Sequence, residues 1–323
     1  AQDSADANEA GETVLKAEEL QKEQKKKDID NEITNKKLRA ELGSKSKYSM
    51  SMDMNYLGGP VEKPFGKERP NLTGSKVAPA VLLSGRVKGR YRIDERSSLY
   101  SGVGVNIVQP FHDPQENEGH SDYFDKAEVD DPSVSYSYAH KWNNLQVIWG
   151  AGGIYYTNDR DTADSTKRVF DLSFDNTLLK SIGKTGLQVG LVSAVWGSVF
   201  ESDRGDRHYK DLVTKKIKKK KGGNITSQQD DYYLAFYPFV EYVINYTFNL
   251  RTVFRQTTFY HVRSEKGTDL VRQPGSQSIG LGISVTRDIF LYPNFQFSTE
   301  NLSTEWVSKK FAKESTVGMS ATI

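Results

Sequence analysis

From Tyr48 to Ile323, apolar and polar residues alternate in short runs that recur about a dozen times. Alternation of period two places successive side chains on opposite faces of a β-strand. The runs are joined alternately by long polar loops and by turns of about two to five residues, the asymmetry of a barrel with short turns on one side of a membrane and longer loops on the other. A soluble β-sandwich has no reason to keep every second connection short. Few folds other than a transmembrane barrel fit that rhythm.

The run Val81–Ile93 shows which side meets lipid. Val81, Leu83, Val87, Tyr91 and Ile93 share one parity with Gly85 and Gly89, while Arg86, Lys88, Arg90 and Arg92 share the other. Facing outward at mid-depth, each cation would cost roughly 2–4 kcal/mol. Four such costs exceed the stability of an ordinary fold. The apolar parity therefore faces lipid, and the polar, glycine-rich parity faces the lumen. The same sidedness recurs in Leu99–Ile107, Val134–Trp142, Leu145–Ala151, Phe170–Phe174, Leu187–Val199, Leu234–Tyr246, Leu250–Tyr260, Ile279–Val285, Ile289–Phe297 and Val317–Ile323. Tyr48, Tyr56, Tyr91, Trp142, Trp196, Tyr246 and Tyr260 are assigned to strand ends on the lipid parity, as an aromatic girdle requires.

Composition agrees with this. The chain has 323 residues, a net charge of +2 and only 36% apolar residues, against 11% aromatic. No apolar run approaches the ~18 residues of a transmembrane helix, but a barrel strand needs only about 10 with alternating polarity. The absence of cysteine favours an exported protein. The first residues, Ala1-Gln2-Asp3-Ser4, read as an end left by signal-peptide cleavage.

The chain is expected to be all-β, a barrel of about twelve antiparallel strands over residues 46–323, after a periplasmic helical segment at 1–45. In that segment Asn8–Leu42 reads as one helix of about 35 residues, ~50 Å long, followed by Gly43 in a C-capping position. Its apolar residues, Val14, Leu15, Leu20, Ile29, Ile33, Leu38 and Leu42, form no continuous seam. A solvated helix is the favoured reading; a plug for the lumen, or a contact between copies of the chain, is the other.

The strand pattern over Lys47–Ile323 resembles Gram-negative outer-membrane β-barrels, in particular twelve-stranded porin-like channels. The terminal Ile323 replaces the aromatic residue with which such chains usually end, and the long N-terminal segment is not part of a minimal porin. The resemblance implies an outer-membrane location, contact with membrane lipid and lipopolysaccharide, and a periplasmic N-terminus. Twelve strands lie between barrels that side chains can fill and those that enclose an open channel, so a narrow or blocked pore is expected.

The expected lumen lining includes Arg86, Lys88, Arg90, Arg92, Arg251 and Arg255 as cations, and Asp53, Asp171, Asp175 and Glu241 as carboxylates. A track of Arg and Lys would pass small anionic solutes. Pairing of those cations with the carboxylates would instead close the interior, leaving a structural or docking protein whose N-terminal helix serves assembly, as in a homo-oligomer. A third reading is an autotransporter-like translocator with the helix threading the lumen. No nucleophile–base pairing, cofactor motif or metal-ligand spacing is visible, and no enzyme or nucleic-acid partner is expected. The acidic loop holding His112, Asp113, Glu116, Glu118, His120, Asp122 and Asp125 reads as solvated, and the basic run Lys215–Lys221 as facing lipopolysaccharide or solvent.

Overall fold

The structure is a computed structural model. It describes residues 28–70, 72, 80–112, 127–157, 168–200, 208–210, 217–219, 229–255, 257–264, 267–272, 275–299 and 303–323. The strands are β1 (Tyr48–Pro60), β2 (Leu82–Arg92), β3 (Ser97–Val108), β4 (Ala127–Trp142), β5 (Leu145–Tyr155), β6 (Arg168–Ser181), β7 (Leu187–Phe200), β8 (His208–Lys210), β9 (Ile217–Lys219), β10 (Gln229–Val243), β11 (Phe248–Arg255), β12 (Thr257–Ser264), β13 (Gly267–Arg272), β14 (Ser276–Ser284), β15 (Phe290–Ser298) and β16 (Thr316–Thr322).

Twelve of them close an antiparallel barrel. Each strand from β1 to β7 pairs with the next, β7 pairs with β10, and β10, β11, β14, β15 and β16 lead back to β1. Closure runs through Asp53–Thr322 to Leu57–Gly318, and Ile323 exchanges backbone hydrogen bonds of 2.8 and 2.9 Å with Met52. A closed barrel leaves no unpaired strand edge, which a hydrocarbon surround demands.

The short turns have local causes. Asn143 and Asn144 both take positive φ, 44° and 66°, the two-residue hairpin turn that matches strand twist. The Asp94 carboxylate accepts from the Arg96 and Ser97 amides at 2.7 and 2.8 Å. The Asn245 side-chain oxygen accepts likewise from Thr247 and Phe248 at 2.8 and 2.9 Å. Such side-chain mimics of a backbone turn are the reason Asp and Asn recur there.

The outer face is apolar. Leu99, Val134, Leu172, Phe174, Val189, Val195, Val199, Phe236, Leu250, Ile279, Phe295 and Met319 are all exposed, and all lie on the parity assigned to lipid. An apolar band round the whole barrel far exceeds the patches that water-soluble monomers carry. Tyr48, Tyr91, Trp142 and Tyr246 are exposed at the short-turn end, where a girdle belongs.

Two girdle assignments need correction. Tyr56 is buried: its ring packs on Phe65 and Phe111 at 6.2 and 5.7 Å, and its hydroxyl donates to the Pro64 carbonyl at 2.7 Å. Trp196 has even parity on β7, whereas the exposed residues Val189, Val195 and Val199 are odd; it points inward and stacks on Tyr233 at 5.6 Å. The Tyr260 side chain lies outside the described residues; its backbone pairs with Tyr233, where the register against β10 is shifted by one residue from that of the Phe239–Val253 pair.

The stretch between the runs Leu250–Tyr260 and Ile279–Val285 is not all loop. The ladder of β12 and β13 continues to Ser264 and Gly267, so this hairpin extends the barrel wall. Between the runs Leu187–Val199 and Leu234–Tyr246, β8 and β9 form a small two-stranded ladder and β10 begins at Gln229. The acidic residues of the 110–132 loop from Asp113 to Asp125, and Lys215, Lys216, Lys220 and Lys221 of the basic run, lie outside the described residues.

A plug in the barrel lumen as candidate functional site

The single long helix does not form. Within the described residues, α1 (Ile29–Glu32) and α2 (Lys36–Leu42) are separated by an extended break; residues 1–27 lie outside them. The break has a sequence cause. Asn35 takes extended dihedrals and its side-chain oxygen accepts from the Leu38 amide at 3.1 Å, so it starts a second helix. Ile33 and Thr34 before it are β-branched and weak helix formers. The segment ends at Gly43, whose positive φ of 63° suits glycine at the end of a helix.

This segment is not solvated. Ile29, Ile33, Leu38 and Leu42 are buried against Ala139, Ile148, Leu179, Phe239 and Val253, all inward-facing wall residues. Ala40 packs on Phe290 and Tyr292. Each fully buried aliphatic side chain contributes about 1.5–3 kcal/mol, so these contacts hold the segment in place. They occupy four of the seven apolar residues of the expected helix; Val14, Leu15 and Leu20 lie outside the described residues. The segment enters and leaves by the same end: the Lys45 ammonium sits 2.7 Å from the Asp28 carboxylate and 3.0 Å from that of Asp30. It is a re-entrant plug at the short-turn end, and among the described residues it does not thread the barrel.

Asn35 is its deepest polar anchor. The Thr34 and Asn35 amides donate to the Gln146 side-chain oxygen at 2.7 and 2.9 Å. The Asn35 side-chain NH2 donates to the Gln188 oxygen and to the Glu241 carboxylate, each at 2.7 Å. Glu241 is fully buried, ion-pairs with Arg251 across the β10–β11 ladder and accepts from the Asn249 side-chain NH2 at 3.2 Å. The Arg251 guanidinium lies 4.1 Å from the Phe239 ring centre, a cation–π contact in a dry setting.

Around the rim, wall cations hold the plug. Arg287, in the β14–β15 turn, grips Asp30 with two hydrogen bonds of 2.8 and 2.7 Å, the forked geometry a guanidinium offers a carboxylate. It also donates to the Gly43 carbonyl at 2.5 Å. Arg96, in the β2–β3 turn, pairs with Glu32, which also accepts from the Lys141 amide at 3.3 Å. Arg90 donates to the Ser44 carbonyl and to the Ser98 hydroxyl, and Arg92 to the Lys45 carbonyl at 2.9 Å. Burial pushes the Asp30 carboxyl up, but hydrogen bonds and charge from Arg287 and Lys45 outweigh it and hold its pKa at about 2. It is therefore ionised at neutral pH.

The expected lining residues thus divide. Arg90, Arg92, Arg251 and Glu241 form the plug's seat. Lys88 pairs with Asp53 at 2.5 Å on the neighbouring strand. Asp171 accepts from the Tyr156 hydroxyl at 2.6 Å and lies 3.8 Å from Arg168. Asp175 leans over Gly150, where an added Cβ would meet its carboxylate at 2.8 Å. Arg86 lies on the inward parity of β2, and Arg255 is exposed at the far end of β11. Sequence reasoning missed Asn35, Arg96, Gln146 and Arg287, and missed the inward-facing apolar collar. The collar does leave a signal. Val147-Ile148, Leu178-Leu179 and Phe239-Val240 are apolar on both parities near the short-turn end, which a water-filled lumen would not require.

No protein-family model matches this sequence, and no curated protein matches it significantly. Several solved structures are similar in architecture. The COG4313 outer membrane channel from Pseudomonas putida is 10% identical over 87% of this chain and 96% of its own, with a TM-score of 0.47. The NanC porin is 11% identical over 85% and 98%, with a TM-score of 0.39. The outer membrane protein Omp33 of Acinetobacter baumannii is 6% identical over 85% and 97%, with a TM-score of 0.34.

Proposed function

We propose that this chain is a porin-like channel of the Gram-negative outer membrane, held closed at its short-turn end by residues 28–45. The short turns, and with them the N-terminus, face the periplasm, as the loop asymmetry of such barrels implies. The observation that carries the reading is the construction of the plug. It is fastened to the wall by side-chain contacts, namely the buried aliphatics, the ion pairs at the rim and one polar anchor, rather than by strand pairing, so it can leave without breaking the barrel's ladders.

The permeant class follows from what the plug would leave behind. Arg90, Arg92, Arg96 and Arg287 belong to the wall, whereas Asp28, Asp30 and Glu32 belong to the plug. Opening carries these carboxylates away and bares a ring of guanidinium groups, which favours small anions. Lys88 and Arg86 continue this basic wall along β2. A closed structural barrel is the second reading, supported by the Arg251–Glu241 and Lys88–Asp53 pairs.

Current across planar bilayers tests the reading. The full chain should pass little current, and a chain lacking residues 1–45 should pass at least tenfold more, with a reversal potential in a potassium chloride gradient showing chloride preference. Heat-modifiable migration on gels establishes that the truncated barrel is folded. A folded truncated barrel without current would favour the structural reading. Equal currents from both chains would show that the plug does not close the pore.

A further inference from the structure

The plug's contacts with the rim have the form of a ligand in a binding site. Two carboxylates, Asp30 and Glu32, project from one four-residue helical turn. Each is held by an arginine from a different hairpin, Arg287 and Arg96. The Asp30–Arg287 contact has two parallel hydrogen bonds of 2.7 and 2.8 Å, the arrangement with which a guanidinium recognises any carboxylate, free or peptide-borne. Among the described residues, the wall partners of these two arginines are Asp288, which adjoins Arg287 in its own turn, and Tyr138, whose hydroxyl meets Arg96.

We infer that Arg96 and Arg287 form a binding site for a small dicarboxylate, that Asp30 and Glu32 occupy it in the closed state, and that such a solute opens the channel by competing with them. This rests on the channel reading above and names its solute class and its trigger. The linkage is direct. With the plug seated the arginines are occupied, so a dicarboxylate binds the unplugged state better and shifts the population towards it. Neutral or monovalent solutes lack the second charge and shift it less. The site lies at the rim, where water reaches it, so exchange of one carboxylate for another does not strand a buried charge.

The chain has no cysteine, so a single introduced thiol reports plug position without interference. Ala40→Cys places one where the side chain is buried against Phe290 and Tyr292. Its rate of maleimide labelling, measured on the full chain in phospholipid vesicles, reads how often the plug leaves. Succinate should raise that rate about tenfold over chloride at equal ionic strength, a coupling of ordinary size. Adding Arg96→Gln and Arg287→Gln should raise the basal rate and abolish the succinate effect. Equal rates in succinate and chloride would overturn the inference, and so would a succinate response that survives loss of both arginines. The labelling needs no ion current, so its failure is distinct from failure of the channel reading, which only the conductance of the truncated chain decides.

Discussion

Replacing Glu241 by alanine should destabilise the folded protein by about 3–5 kcal/mol, the cost of leaving a buried partner charge uncompensated. The size follows from what Glu241 neutralises. Arg251 is 4% exposed at its side chain and Glu241 is 0% exposed, so neither can turn to water. The same carboxylate accepts from Asn35 and Asn249, so its loss also frees the plug's deepest anchor. Glu241→Gln keeps an acceptor for the two asparagines but not the charge, and should cost less. Replacing Glu241 and Arg251 together by leucine should restore most of the barrel's stability, while the plug remains loosened. Urea unfolding in detergent, followed by tryptophan fluorescence, measures all three. A shift below about 1 kcal/mol for the alanine variant, the size of an exposed pair, would refute a buried ion pair at this place.

Phe174→Arg should destabilise the barrel in lipid by about 2–4 kcal/mol, the cost of a cation on the lipid face near mid-depth. Phe174 lies midway along β6, is 48% exposed, and pairs with Val195, itself 45% exposed. Ser173→Arg, one residue away on the opposite parity, should cost far less, because its side chain enters a polar lumen. The contrast between neighbours isolates sidedness from strand propensity, since both positions lie in the same ladder. Equal costs would mean that the two faces of the wall meet the same medium, and the membrane assignment would fail.

The barrel was legible because its physics is periodic. Sidedness shows in every run, as in Arg86, Lys88, Arg90 and Arg92 against Val87 and Tyr91, and turn chemistry shows in Asn143-Asn144 and Asp94. The face of Trp196 was itself recoverable. Parity counting within β7 places Trp196 inward. The one-residue shift between the β10–β11 and β10–β12 registers, by contrast, leaves no compositional mark. The plug was misread through an assumption of continuity. As one helix, Ile29, Ile33, Leu38 and Leu42 form no seam; with a break capped by Asn35, two short helices turn them to the same wall. The site's charged residues were half legible. Arg90, Arg92, Arg251 and Glu241 follow from strand parity, whereas Arg96 and Arg287 sit in turns, where parity says nothing. Their partners Glu32 and Asp30 lie 64 and 257 residues away, and no local pattern links them.

Everything turns on whether residues 28–45 sit inside the wall of a membrane-embedded barrel. A disulfide between Ala40→Cys and Tyr292→Cys, two positions in one buried cluster, measures that directly in a chain without other thiols. Oxidation in vesicles should close this cross-link within single chains and silence the pore whatever solute is added, and reduction should restore the response. Failure of the cross-link to form in a folded barrel, or a cross-linked chain that conducts as freely as the truncated one, would contradict the account.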